Sequence, residues 1–156
     1  MKNKFFILAA VFAAIFALST ASSAQKLQNC SEDGSIKRVT KSVSGNFELV
    51  TFEVLSADPA YKVTNSRPPY SMYGSEKPLY IKGPFYKSIV FTGVNWTCKI
   101  RENLSASTKT ITAVKSVEQF EGQVEYIIGY KTKGKFVSSY KTGTGSSRKV
   151  VLKFKK

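Results

Sequence analysis

Apolar and polar residues alternate along most of the chain, and Val, Ile, Thr, Tyr and Phe fill the apolar positions. A period of two is the mark of strands that bury one side on a sheet. It predicts strands over residues 36–43, 47–55, 61–64, 79–82, 86–92, 95–101, 108–115, 123–130, 135–141 and 149–155. Turn chemistry separates them, as in Ser44-Gly45-Asn46, Asp58-Pro59, Glu121-Gly122 and Lys133-Gly134. No stretch carries a sustained helical period. Strands and turns at this spacing predict an all-β domain, an antiparallel two-sheet sandwich of about 8–10 short strands. A partly closed barrel is the alternative. Residues 65–78 hold three prolines and read as an irregular surface loop, residues 102–107 as a polar connection, and residues 141–148 as a hairpin tip.

The first 24 residues break this pattern. Lys2 and Lys4 precede an unbroken apolar run from Phe5 to Leu18, and Ser22 and Ala24 fit a small-x-small cleavage pattern. The run is shorter than the roughly 20 residues that a spanning helix needs. Residues 1–24 therefore read as a cleaved secretory signal peptide and residues 25–156 as a single domain, secreted or periplasmic, with no transmembrane segment after cleavage. In an oxidising compartment the only two cysteines, Cys30 and Cys98, are expected to form one disulfide. The loop-entropy model gives such a long closed loop about 4 kcal/mol.

Charge adds a second layer. The net charge of +14 falls to +12 once Lys2 and Lys4 are removed. After Glu125 there is no acidic residue, whereas Lys is frequent. Val150, Leu152 and Phe154 share one parity, so Lys149, Lys153 and Lys155 share the other. By the same count Lys131, Lys133, Lys135 and Lys141 share a parity in the preceding strand. If the two strands pair, these seven lysines form one cationic sheet face. In a secreted setting such a face suits an anionic polysaccharide or envelope polymer. Lysines on edge strands also serve solubility and blunt aggregation. Aromatics are dense between Tyr61 and Trp96, and Tyr70 and Tyr73 in the irregular loop are the candidate platforms for stacking on sugars.

The chain has no His, which excludes Ser-His-Asp and Cys-His chemistry and His-based metal centres. Glu48 and Glu53 have opposite parity on one strand and cannot face one cleft as a glycosidase pair does. Ser138-Ser139-Tyr140-Lys141 matches a short acyl-transfer pattern, but in a strand its Ser and Lys point opposite ways. No catalytic residue, metal site or cofactor is expected, and specific nucleic-acid recognition is not expected either. The reading is a non-catalytic binding or adhesion module for anionic cell-envelope or extracellular polymers, acting through a basic face. Alternatives are a protein-interaction role as inhibitor, assembly or matrix subunit, with strand addition to a protein partner, and a membrane-active secreted toxin. Protein purified from a secreting host is expected to begin at Gln25 and to contain no free thiol, which N-terminal sequencing and intact mass with thiol labelling will check. A retained leader or two labelled thiols would remove the secreted, stapled reading.

Overall fold

The computed structural model describes residues 35–72, 74, 75, 77–94, 96, 97, 103, 104 and 107–156. Cys30, Cys98, the disulfide expected between them, the signal segment and Tyr73 lie outside these residues. The described chain is built from ten strands: β1 (Ser35–Ser44), β2 (Phe47–Leu55), β3 (Ala60–Ser66), β4 (Phe85–Thr92), β5 (Trp96–Thr97), β6 (Asn103–Leu104), β7 (Ile111–Phe120), β8 (Gln123–Tyr130), β9 (Phe136–Thr142) and β10 (Arg148–Lys155). They form two sheets, in the orders β5-β1-β2-β10-β9 and β3-β4-β8-β7-β6. All neighbours are antiparallel except the short parallel contact of β1 with β5. The sheets do not close into a barrel.

Strand alternation is what makes two layers. In β2 every second residue is buried, from Glu48 through Val50, Phe52 and Val54. Val150, Leu152 and Phe154 of β10 and Val124, Tyr126 and Ile128 of β8 are fully buried as well. The inner faces meet through aromatic rings. Phe52 lies 5.2 Å from Phe91 and 5.0 Å from Tyr126, and Phe154 lies 5.4 Å from Tyr130. A fully buried side chain of this size stabilises by about 1.5–3 kcal/mol.

Two expectations are corrected. Residues 79–82 are not a strand. They belong to the β3–β4 connection, which lies across the outer face of the second sheet. There Ile81 joins Ala113 and Ile127 in a second buried cluster, with Tyr70, Leu79, Tyr86 and Val117 packed against it. Residues 65 and 66 belong to β3, and the 67–84 connection is thus anchored by its own apolar residues. The parity count across β9 also fails. A register shift in the β9–β10 pairing near Lys153 and Phe154 places Phe136 opposite Phe154 but Ser138 opposite Lys153. Phe136 packs inward on Phe154, whereas Tyr140 is 42% exposed and sits opposite Val151 on the outer face. A bulge inserts one residue and so reverses the alternation beyond it.

One inward position in β2 is a carboxylate. Glu48 is 1% exposed. Its oxygens accept the Thr110 amide at 3.0 Å, the Ile111 amide at 2.8 Å and the Thr108 hydroxyl. Burial alone would raise its pKa. The hydrogen bonds from Thr108, Ile111, Thr110 and Lys109 outweigh that and hold the carboxyl below its ordinary value. Because the folded pKa is depressed, this stability is present above the unfolded value of about 4.3 and is lost as the pH falls through the folded one. Glu48→Gln is expected to lower the unfolding free energy by about 1.5–3 kcal/mol at neutral pH, as charge-assisted hydrogen bonds do. Urea titrations at several pH values check it: the gap between wild type and variant should narrow on acidification.

Candidate functional site

The pairing directions give the sandwich two distinct ends. At one end β2, β4, β7 and β9 begin and β1, β3, β8 and β10 finish. The β8–β9 turn brings Lys131, Lys133 and Lys135 to this end, and the close of β10 brings Lys155 and Lys156. Lys109 precedes β7, Lys82 and Arg67 belong to the β3–β4 connection, and Lys87 lies near the start of β4.

Backbone hydrogen bonds lock these segments together. The Lys131 amide donates to Thr110 O at 3.0 Å, the Lys155 amide to Lys135 O at 2.7 Å, and the Lys156 amide to Asn46 O at 2.9 Å. Side chains add to the lattice. Lys131 Nζ donates to Thr108 O, Lys135 Nζ to Lys156 O, and Lys156 Nζ to Gly45 O. The carbonyls of Thr108 and Gly45 fix the ammonium groups of Lys131 and Lys156 without neutralising them. Lys87 Nζ donates to Asn65 Oδ1 at 2.7 Å and lies 4.6 Å from the centre of the Phe136 ring.

The acids are elsewhere. The described acidic residues are Glu48, Glu53, Asp58, Glu118, Glu121 and Glu125. Glu48 alone reaches the basic end, and it is buried with its charge turned onto backbone amides. Glu53 pairs with Arg38 at 2.9 Å and Lys37 at 3.5 Å, and Asp58 pairs with Lys141. Glu118, Glu121 and Glu125 cluster around the β7–β8 turn at the far end. The described charge is therefore segregated along the strand axis rather than between sheet faces.

This places the seven candidate lysines in two groups. Lys131, Lys133, Lys135 and Lys155 gather at the basic end. Lys153 sits beside them on the outer sheet face, its ammonium 3.8 Å above the Phe47 ring. Lys149 is six positions back along β10, roughly 20 Å away at strand rise. Lys141, paired with Val150 in register and with Asp58 in charge, is also at the far end. The single cationic face built from all seven is corrected to a cationic end built from four of them, together with Arg67, Lys82, Lys87, Lys109 and Lys156. Those five lie in separate parts of the sequence, and only the strand topology unites them.

Of the two aromatic candidates, Tyr73 lies outside the described residues and Tyr70 is placed differently from expectation. Tyr70 is half-buried, donates its hydroxyl to Ser66 Oγ at 3.2 Å and packs edge-on against Tyr86 at 5.5 Å. Burial raises its hydroxyl pKa. It supports the loop and does not offer a free ring face. Among the described residues of this loop, Tyr80 is the uncovered aromatic, 80% exposed.

Two hollows flank this loop. One, of about 550 Å³, is lined by Tyr70, Met72, Val117 and the carboxylates Glu118 and Glu125, and does not suit an anion. The other, of about 640 Å³, opens at the basic end. Its rim carries the exposed Arg67 and Lys133, and its floor is Phe85, Tyr86 and the nearly buried Tyr130. No family model, curated protein or solved structure matches the chain.

The wall of this cleft depends on a close backbone approach. Thr112 Oγ1 donates to Lys82 O, and the Tyr86 hydroxyl donates to Gly83 O. Gly83 has a φ of +139°, which side-chain-bearing residues avoid. A Cβ at Gly129 would overlap the Lys82 carbonyl oxygen. Gly129→Ala is expected to cost about 1–3 kcal/mol and to lift residues 79–84 off β8. Limited proteolysis and amide exchange of that segment, compared between variant and wild type, check it.

Proposed function

We propose that the protein is a secreted or periplasmic, non-catalytic binding or adhesion module for anionic cell-envelope or extracellular polymers, engaged through the basic end. The observation that supports this most directly is the charge segregation. Cations from five separate segments meet at one end, and among the described acidic side chains the one that reaches it is buried and hydrogen-bonded. Charge needed only for solubility has no reason to collect where like charges repel, because interspersed signs serve solubility as well. A one-signed end focuses the field and attracts a polyanion before contact. The exposed Lys82, Lys109, Lys133 and Lys155 carry their ammonium groups on long stems that fit many anion spacings, which suits a polymer better than one shaped small ligand.

Strand addition to a protein partner is the second reading. β9 is the last strand of its sheet among the described residues and exposes Val137 and Tyr140. Its bulge and its flanking Lys135 and Lys141 are features that blunt an edge against pairing, so this reading ranks below the first.

The test removes charge at one end only. Lys82, Lys109 and Lys155 replaced together by Ser are expected to weaken binding to a sulfated polysaccharide or long polyphosphate by roughly 150-fold at low salt, at about 1 kcal/mol per lysine. The Lys141→Ser, Lys149→Ser double variant at the far end is expected to change it by less than about twofold. Affinity of the wild type should fall steeply with salt. Equal losses in both variants would overturn the assignment to this end.

A further inference from the structure

We propose that the 640 Å³ cleft at the basic end is a binding site for a single acidic sugar unit, a carboxylate-bearing pyranose within an anionic polysaccharide. The inference rests on the polyanion reading and gives it a ligand class and a position. The argument starts from which side-chain hydrogen-bonding capacity is left over. Asn65 Oδ1 is already used by the Lys87 ammonium, so the amide group that remains is its NH₂. Ser66 Oγ already accepts from Tyr70, so its remaining capacity includes its own O–H. Arg67 and Lys133 are donors only, and neither forms an ion pair with a described residue. The polar side chains of the cleft thus chiefly present donors, two of them cationic. The matching ligand is rich in oxygen acceptors and negatively charged.

Shape narrows the choice. The Phe85 ring is held against Tyr130, with centres 5.9 Å apart and planes at 35°, so the floor is a fixed apolar surface. Such a floor takes the C–H face of a sugar ring. A nucleobase could lie on the same floor, but its own amino or imino donors would meet a cleft whose polar side chains chiefly donate. Arg67 adds a planar fork that fits a carboxylate through two parallel hydrogen bonds, and Lys133 supplies a point charge across the opening. The volume falls within the range of sites that enclose one small ligand.

The test titrates the full protein with tetragalacturonate, with maltotetraose as the neutral oligosaccharide and an oligothymidylate as the alternative anion. Saturable binding of the tetragalacturonate at physiological salt, with ring-proton shifts at Phe85 and Tyr130 and no response to maltotetraose, is expected. Arg67→Met with Lys133→Met is expected to weaken it at least tenfold, about what one lost charge-assisted hydrogen bond costs. Both residues are exposed, so an unchanged melting temperature will show that the fold is kept. The Lys141→Ser, Lys149→Ser variant should bind as wild type. Long polyanions that bind wild type and the Arg67/Lys133 variant alike, with tetragalacturonate silent on the wild type, would overturn the cleft and leave the polyanion reading standing. Preference for the oligothymidylate would overturn the sugar assignment. Failure of every polyanion, long or short, would overturn both.

Discussion

The cationic end is held together by a buried negative charge. Glu48 enters from β2 of one sheet and receives the amides of Thr110 and Ile111 and the hydroxyl of Thr108 from the other. Those amides open β7, and an unpaired buried amide would be costly. The carboxylate answers that need while fixing where the loop before β7 lies. The placement of Lys109, Lys131 and Lys155 follows from it, because Lys131 bonds Thr108 and Thr110, and the Thr110 hydroxyl donates to Lys155 O. The charge stays inside. Lys41 is near enough to feel Glu48, yet burial dominates and lowers the Lys41 pKa. One acid thereby stabilises an end at which the exposed charged side chains of the described residues are cations.

Much of the layer structure was legible in the sequence because burial on one face imposes a period of two. The bounds of β2 and β8 agree residue for residue with the pattern, since both strands are central and fully packed on their inner sides. Legibility failed where local pattern and tertiary contact part company. Leu79 and Ile81 alternate as a strand would, but they pack on Ala113 and Ile127 as a loop. Apolar spacing reports that residues are buried and not which partner buries them. Parity across β9 failed because a bulge is invisible to simple alternation. Glu48 carried a readable signal: it shares the parity of Val50, Phe52 and Val54, and a carboxylate in a core series requires partners.

The charge reading failed in an instructive way. Within β10, alternation correctly separates Lys149, Lys153 and Lys155 from the apolar residues, and that local regularity invites a sheet face as the functional surface. Yet a strand also has a direction. Lys149 and Lys155 share a face and lie at opposite ends of the molecule, beside different charges. Lys149 stands in register with Glu53, whereas Lys155 stands opposite Phe47. Parity locates a residue across the sheet, and only the order of strands locates it along the axis.

The ends of a sandwich also differ from its faces in what they can bind. A face carries side chains at fixed spacing on paired backbone, and its neighbours come from adjacent strands. An end collects turns from both sheets, so residues remote in sequence approach one another around a hollow. Arg67 follows β3 and Lys133 follows β8, and they meet over Phe85 and Tyr130, whose rings close the core beneath them. The packing that stabilises the interior therefore supplies the floor of the cleft, and the connections leaving it supply the cations. A sheet face offers a polyanion attraction alone. On the polyanion proposal this end would add to attraction, within the same few residues, a place of defined shape, so that affinity and selectivity could be separated by substituting different side chains.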